Sequence, residues 1–158
     1  MSNSKGDRWE RHYVNALSAT DREDDRDDYE RVGIDDFAFV RHFTALRLPA
    51  SGAGRVADLP DIHVWLRTGP EVDQFAAESK AGADRIRLTN DEVSALRRYA
   101  EDTGAEPIVF VHIDYTGDFV VHVDDLHSTS KGYTFTKHRD VDDAVTFAEW
   151  AKQPLTAI

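Results

Sequence analysis

Asp61, Glu78 and Lys80 offer two carboxylates and an ammonium at positions that strand geometry can bring together. The stretch "LPDI" at 59–62 opens one apolar run, and "AAESKAG" at 76–82 closes another. In a strand, alternate residues share a face, so Glu78 and Lys80 emerge side by side. If the two runs pair as an antiparallel hairpin, the start of one lies beside the end of the other, and Asp61 joins them. Two carboxylates so placed can hold a hard divalent cation, with waters completing the octahedron. The lysine can orient or deprotonate an attacking water, or stabilise charge on a phosphoryl oxygen. Metal-assisted hydrolysis of a phosphodiester needs this set of parts. Taken alone, Glu78 and Lys80 read equally well as a surface ion pair of little energetic weight.

The elements that must position these groups are legible in the pattern. "DIHVWLR" at 61–67 and "DQFAAESK" at 73–80 read as strands around the turn "TGPE". Ala76 and Ala77 are small, as suits a buried strand that holds Glu78 and Lys80 rigid. A first helix starts near Ser4, with Ser4 and Asp7 at capping-box spacing and Trp9, Tyr13, Ala16 and Leu17 as its apolar stripe. Glu10 sits beside that stripe. The clearest helix is "LTNDEVSALRRYAEDTG", where Thr89 and Glu92 form a capping box and Gly104 follows the end. "EPIVFVHI" has the continuous apolar character of a central strand, and "DFVVHV" follows it. Phe43 to Leu48 reads as an earlier strand, and "YTFTK" as a short edge strand. Phe37 to Arg41 fits helix or strand, and Pro49 to Gly54 is a small-residue loop. "DVDDAVTFAEWAK" predicts a C-terminal helix over about 140–152 capped by Asp140. The order predicts an α/β fold, a mixed central β-sheet flanked by helices, in a single domain spanning 1–158.

Composition narrows the milieu. The chain has no cysteine, which excludes disulfides and thiolate zinc sites. No apolar run approaches the roughly 20 residues of a membrane span, and "MSNSKGDRWER" has no hydrophobic signal core, so a cytoplasmic location is expected. The seven histidines show no tight metal-binding spacing on a helix, and His63, His112 and His122 read as sheet or surface residues. The net charge is −11, of which the segment Asp21–Asp36 carries −6. That run lacks the glycine and terminal glutamate of a calcium loop and reads as a solvated, mobile insertion over about 18–36. Asp outnumbers Glu and Arg outnumbers Lys, the balance of a surface that stays hydrated in concentrated salt. At 1 M salt the Debye length is about 3 Å, so the overall charge would hardly repel DNA. The acidity points to a halophilic solvent and not to the partner.

A Pro-Asp followed by Glu-x-Lys across a hairpin resembles the PD-(D/E)XK nuclease superfamily. Further motifs narrow the likeness. "KGDRWERHYVNAL" at 5–17 looks like the opening of archaeal Holliday junction resolvases, and "LRLPASG" at 46–52 is similar to that family's Arg-x-Pro-x-Ser-Gly loop. "LPDI", "FAAESK", "LTNDEVSALRRYAEDTGAEPIVFVHID" and "DDLHSTSKGYTFTK" follow in collinear order through residue 137. The resemblance implies a restriction-endonuclease-like fold and a homodimer with two sites, each cutting one strand of a four-way DNA junction with Mg2+ (or Mn2+). It implies that Asp61 and Glu78 are metal ligands, that Glu10 adds a third carboxylate, and that Lys80 is the catalytic lysine. Arg11 and Arg47 match arginines that engage DNA phosphates, Lys5 belongs to the matching Lys-Gly pair, and Ser51 matches the serine of the loop near the scissile strand. The segment 18–36 has no counterpart in the compact pattern, the tail beyond Asp140 matches poorly, and Arg87 stands where relatives often carry an aromatic. Two other readings use the same fold: a non-catalytic junction binder, and a nuclease acting on ends, flaps or viral replication intermediates.

Overall fold

In the computed structural model, residues 4–18, 25–35, 40–49 and 59–152 are described. The chain begins with α1 (Ser4–Leu17) and α2 (Arg26–Arg31), then β1 (His42–Arg47) and the hairpin β2 (Ile62–Thr68) and β3 (Glu71–Gly82). Next come β4 (Arg85–Leu88), α3 (Asn90–Thr103), β5 (Glu106–Ile113) and β6 (Gly117–His122). The chain continues with β7 (His127–Thr129), β8 (Gly132–Thr136), α4 (Lys137–Asp140), β9 (Val145–Thr146) and α5 (Phe147–Ala151). No helix among the described residues is long and apolar enough to cross a membrane.

The main sheet has six strands in the order β1-β2-β3-β5-β6-β9, and a second sheet has three, β4-β8-β7. Within the main sheet β3 and β5 run parallel, while the other pairs are antiparallel. A parallel pair needs a crossover; β4 and α3 supply it. The sheet is mixed and covered on both faces, which is why β5 is apolar without alternation. Ile108 and Phe110 join one buried cluster with Tyr13, Leu17, Tyr29 and Phe147 of α1, α2 and α5. Val109, Val111 and Ile113 join the other with Val93, Leu96 and Ala100 of α3. On β3 the neighbours Ala76 and Ala77 are both fully buried and divide between the two clusters.

α3 starts with its predicted capping box, Thr89 Oγ1 accepting from Glu92 N–H at 3.1 Å and Glu92 Oε1 accepting from Thr89 N–H at 2.9 Å. It ends at Gly104, whose left-handed φ of 75° suits glycine. Gly82 closes β3 where the chain doubles back, and a Cβ there would lie 2.0 Å from the Arg85 carbonyl oxygen.

Three expectations need correction. "YTFTK" is no edge: β8 lies between β4 and β7. The C-terminal helix over 140–152 is instead α4, a 3-10 turn at Val141–Asp143, the two-residue strand β9 and the short α5. Asp140 does not cap a helix there; its Oδ2 accepts from Thr136 N–H at 2.7 Å, and Thr146 with Glu149 forms the capping box of α5. The acidic segment also carries structure. α2 lies within it and, with the residues just after, buries Tyr29, Val32 and Ile34 to 1% exposure each.

Candidate active site

The register of the hairpin sets the first two acids together. Ile62 pairs with Ala77, so one step further places Asp61 opposite Glu78. Ser79 N–H donates to Asp61 Oδ2 at 2.8 Å, and the two carboxyl groups hydrogen-bond to each other. Glu78 is 9% exposed. Burial, followed by the neighbouring Asp61 charge, pushes its carboxyl up to about 9. Asp61 is also raised by burial, against the pull of Ser79 N–H, Glu78 and Lys80. Two adjacent acids in a poorly solvated place resist ionising together, which raises both carboxyls against the opposing pull of Lys80.

Lys80 follows on the same face of β3, and its Nζ donates to Glu92 Oε2 at 2.6 Å. Glu92 lies in the first turn of α3. Burial would raise its carboxyl, but Lys80 and the Thr89 hydrogen bonds carry it below the ordinary value. Sequence reading assigned Glu92 to the capping box alone. No local spacing signals this contact, because it depends on how α3 lies against β3.

Glu10 arrives from the opposite layer. α1 is anchored there by Trp9, which stacks on His112 with ring centroids 3.7 Å apart, and by Tyr13, whose hydroxyl donates to Asp118 Oδ1 at 2.6 Å. Tyr13 is fully buried, so this bond satisfies a hydroxyl that would otherwise cost stability. Glu10 itself is 8% exposed and accepts from Arg47 Nε at 3.1 Å. Its carboxyl is raised by burial, lowered by Arg47, and raised again by the charge of Asp61. Arg47 ends β1 opposite Ile62, which brings it to the same end of the sheet.

The structure thus brings Glu10, Asp61, Glu78, Lys80 and Arg47 to one region. Arg11 is exposed on α1. The Lys5 side chain and Ser51 lie outside the described residues. The sheet histidines have local partners: His63 between Tyr99 and Gln74, His112 with Asp114 and Asp118, and His122 accepting from Asp124 N–H.

Among the described residues, no three acidic or imidazole side chains form a ready cation cage. The donor chemistry of Asp61 and Glu78 nevertheless fits a hard divalent cation, since Mg2+ takes one or two carboxylates and keeps its waters. A cation would also supply counter-charge to two carboxyls that burial disfavours as anions. Clefts of about 490 and 280 Å3 occur elsewhere and contain none of these residues.

Comparison with known proteins agrees. The family model described as archaeal Holliday junction resolvase (Hjc) matches residues 30–157. That stretch takes in the tail that sequence reading set aside, and it begins after α1, so Glu10, Arg11 and Lys5 lie outside it. No curated protein gives a significant match. Among solved structures, the chain is similar to Hjc, a Holliday junction resolvase from the hyperthermophile Archaeoglobus fulgidus, at 23% identity and a TM-score of 0.58. The match covers 82% of this chain and 96% of that one, and it shows the shared restriction-endonuclease-like fold. On the family match, the chain belongs to the archaeal Holliday junction resolvases, which are crossover junction endodeoxyribonucleases.

Proposed function

We propose that this protein resolves four-way DNA junctions by Mg2+-dependent phosphodiester hydrolysis, acting as a homodimer in which the whole chain forms one nuclease domain. The observation that carries this reading is the placement of Asp61 opposite Glu78, with Lys80 on the same face of β3, in a chain of the resolvase family. Asp61 and Glu78 would hold the cation, with Glu10 as a third carboxylate. Such a cation, when bound, supplies Lewis acidity toward water and the scissile phosphate. Lys80 presents its ammonium to a phosphoryl oxygen as negative charge develops there. Arg47 and Arg11 would contact backbone phosphates, and Lys5 and Ser51 complete the proposed DNA-binding set. Arg47 pairs with Glu10, so on binding a phosphate it would exchange one anion for another. Phosphate contacts position the duplex without reading its sequence, so junction shape should matter more than base order. Cleavage should leave 5′-phosphate and 3′-hydroxyl ends.

The test is a labelled four-way junction incubated with and without Mg2+, at low and high salt, against flaps and plain duplex. Paired nicks in opposing strands, lost in Glu78→Gln while junction binding is kept, are expected. A junction left intact by the wild type under all these conditions would overturn the reading. Binding without cleavage would mark the chain as a junction-binding module, and preference for flaps or ends would mark it as a different nuclease of this fold.

A further inference from the structure

Lys80 has three carboxylates within electrostatic reach. Its charge acts on Asp61, Glu78 and Glu92 alike, as the pull on each of their carboxyls shows. Among the described residues, its ammonium forms an ion pair with Glu92 alone, at 2.6 Å. This choice matters chemically. An ammonium bonded directly to Asp61 or Glu78 would occupy the oxygens that a cation needs. It would also draw the lysine down into the carboxyl pair and away from an incoming phosphate.

The partner is itself held firmly. Glu92 is the third residue of α3, and its Oε1 accepts the Thr89 N–H at 2.9 Å while Oε2 accepts from Lys80. One carboxylate thus closes the helix start with one oxygen and tethers the lysine with the other. Its charge also reaches Asp61 and Glu78, adding to the forces that keep a proton on that pair.

We infer that Glu92 is a positioning residue for cleavage: it tethers the Lys80 ammonium to the first turn of α3, clear of the Asp61–Glu78 oxygens. Glu92 acts through Lys80 and has no contact with the substrate of its own. The inference rests on the resolvase reading given above.

Two substitutions separate the two duties of this carboxylate. Glutamine also serves at the third position of a capping box, so Glu92→Gln keeps the Thr89 bond and removes the charge that holds Lys80. Thr89→Ala breaks the cap and leaves the Glu92–Lys80 pair. Single-turnover cleavage at saturating protein, metal-free junction affinity and thermal melting are measured for each. For Glu92→Gln the cleavage rate should fall by about tenfold or more, with Tm and junction Kd close to wild type. Thr89→Ala should lower Tm by about 3 °C yet cleave near the wild-type rate well below its melting point. A Glu92→Gln enzyme that cleaves at the wild-type rate overturns the inference. So does a Thr89→Ala enzyme that loses as much rate as Glu92→Gln, since Glu92 would then act only through the helix start. A wild-type protein that cleaves no junction removes the resolvase reading first and this role with it, whereas an active wild type beside an unaffected Glu92→Gln removes this role alone.

Discussion

The fold changes the chemistry of Glu78 sharply. In the unfolded chain it is an ordinary carboxyl near 4.5, whereas in the fold it is pushed up to about 9. Between those values the folded state holds a proton that the unfolded state has lost. Its contribution to stability is therefore full below the unfolded value and disappears as pH climbs through the folded one. Asp61 and Glu10, also raised, act in the same direction. Glu92 and Asp140 are lowered, so their contribution is present above the unfolded value and lost on acidification. In EDTA, Tm is expected to fall by at least about 3 °C between pH 6 and pH 9, and Glu78→Gln should flatten that slope. Added Mg2+ should raise Tm more at pH 9 than at pH 6, because the cation no longer competes with the proton. Thermal melts followed by circular dichroism across pH check all three statements.

Among the elements, β3 carries the greatest responsibility, since it holds Glu78 and Lys80 and hands the chain to β4 and α3. Gly82 permits that hand-over, and Gly82→Ala would force a Cβ to within 2.0 Å of the Arg85 carbonyl oxygen. A loss of about 2 kcal/mol or more is expected by chemical denaturation, together with weaker cleavage as β3 and α3 shift apart. The long elements were legible because each announces itself: alternation in the hairpin, a capping box at Thr89 and Glu92, unbroken apolar character in β5. The short ones were not. β4, β7 and β9 have four, three and two residues, and their strand character comes from their neighbours and not from any period of their own. The C-terminal stretch mimics a helix, but Val145 and Thr146 pair with Val120 and Phe119, and that pairing outweighs local propensity. The acidic run hid Tyr29, Val32 and Ile34 among charges. At the site, hairpin geometry alone gave Asp61, Glu78 and Lys80 a common location. The Glu92 contact depends on how α3 lies against β3, which no local pattern encodes.

For the molecule as a whole, the acidic segment poses the central electrostatic question. α2 is pinned into the core beside α1, close enough that Arg31 and Asp28 both act on His12. Its exposed acids are thus fixed near the helix that carries Glu10 and Arg11. Replacing Asp27 by Asn and Glu30 by Gln should tighten junction binding several-fold at 0.1 M salt. The gain should vanish near 1 M, where screening acts over about 3 Å. Equilibrium titrations at both salt concentrations decide this. The division of the core between the two faces of the sheet has a further consequence. Glu10 is borne by the layer of α1, α2 and α5, whereas Lys80 and Glu92 belong to the side of α3. Buried clusters separated by a sheet can open one at a time, with free energies below that of global unfolding. On the roles proposed for Glu10 and Lys80, cleavage needs both layers closed at once, so heat should silence the enzyme while most of its backbone is still folded, at a temperature set by the weaker layer.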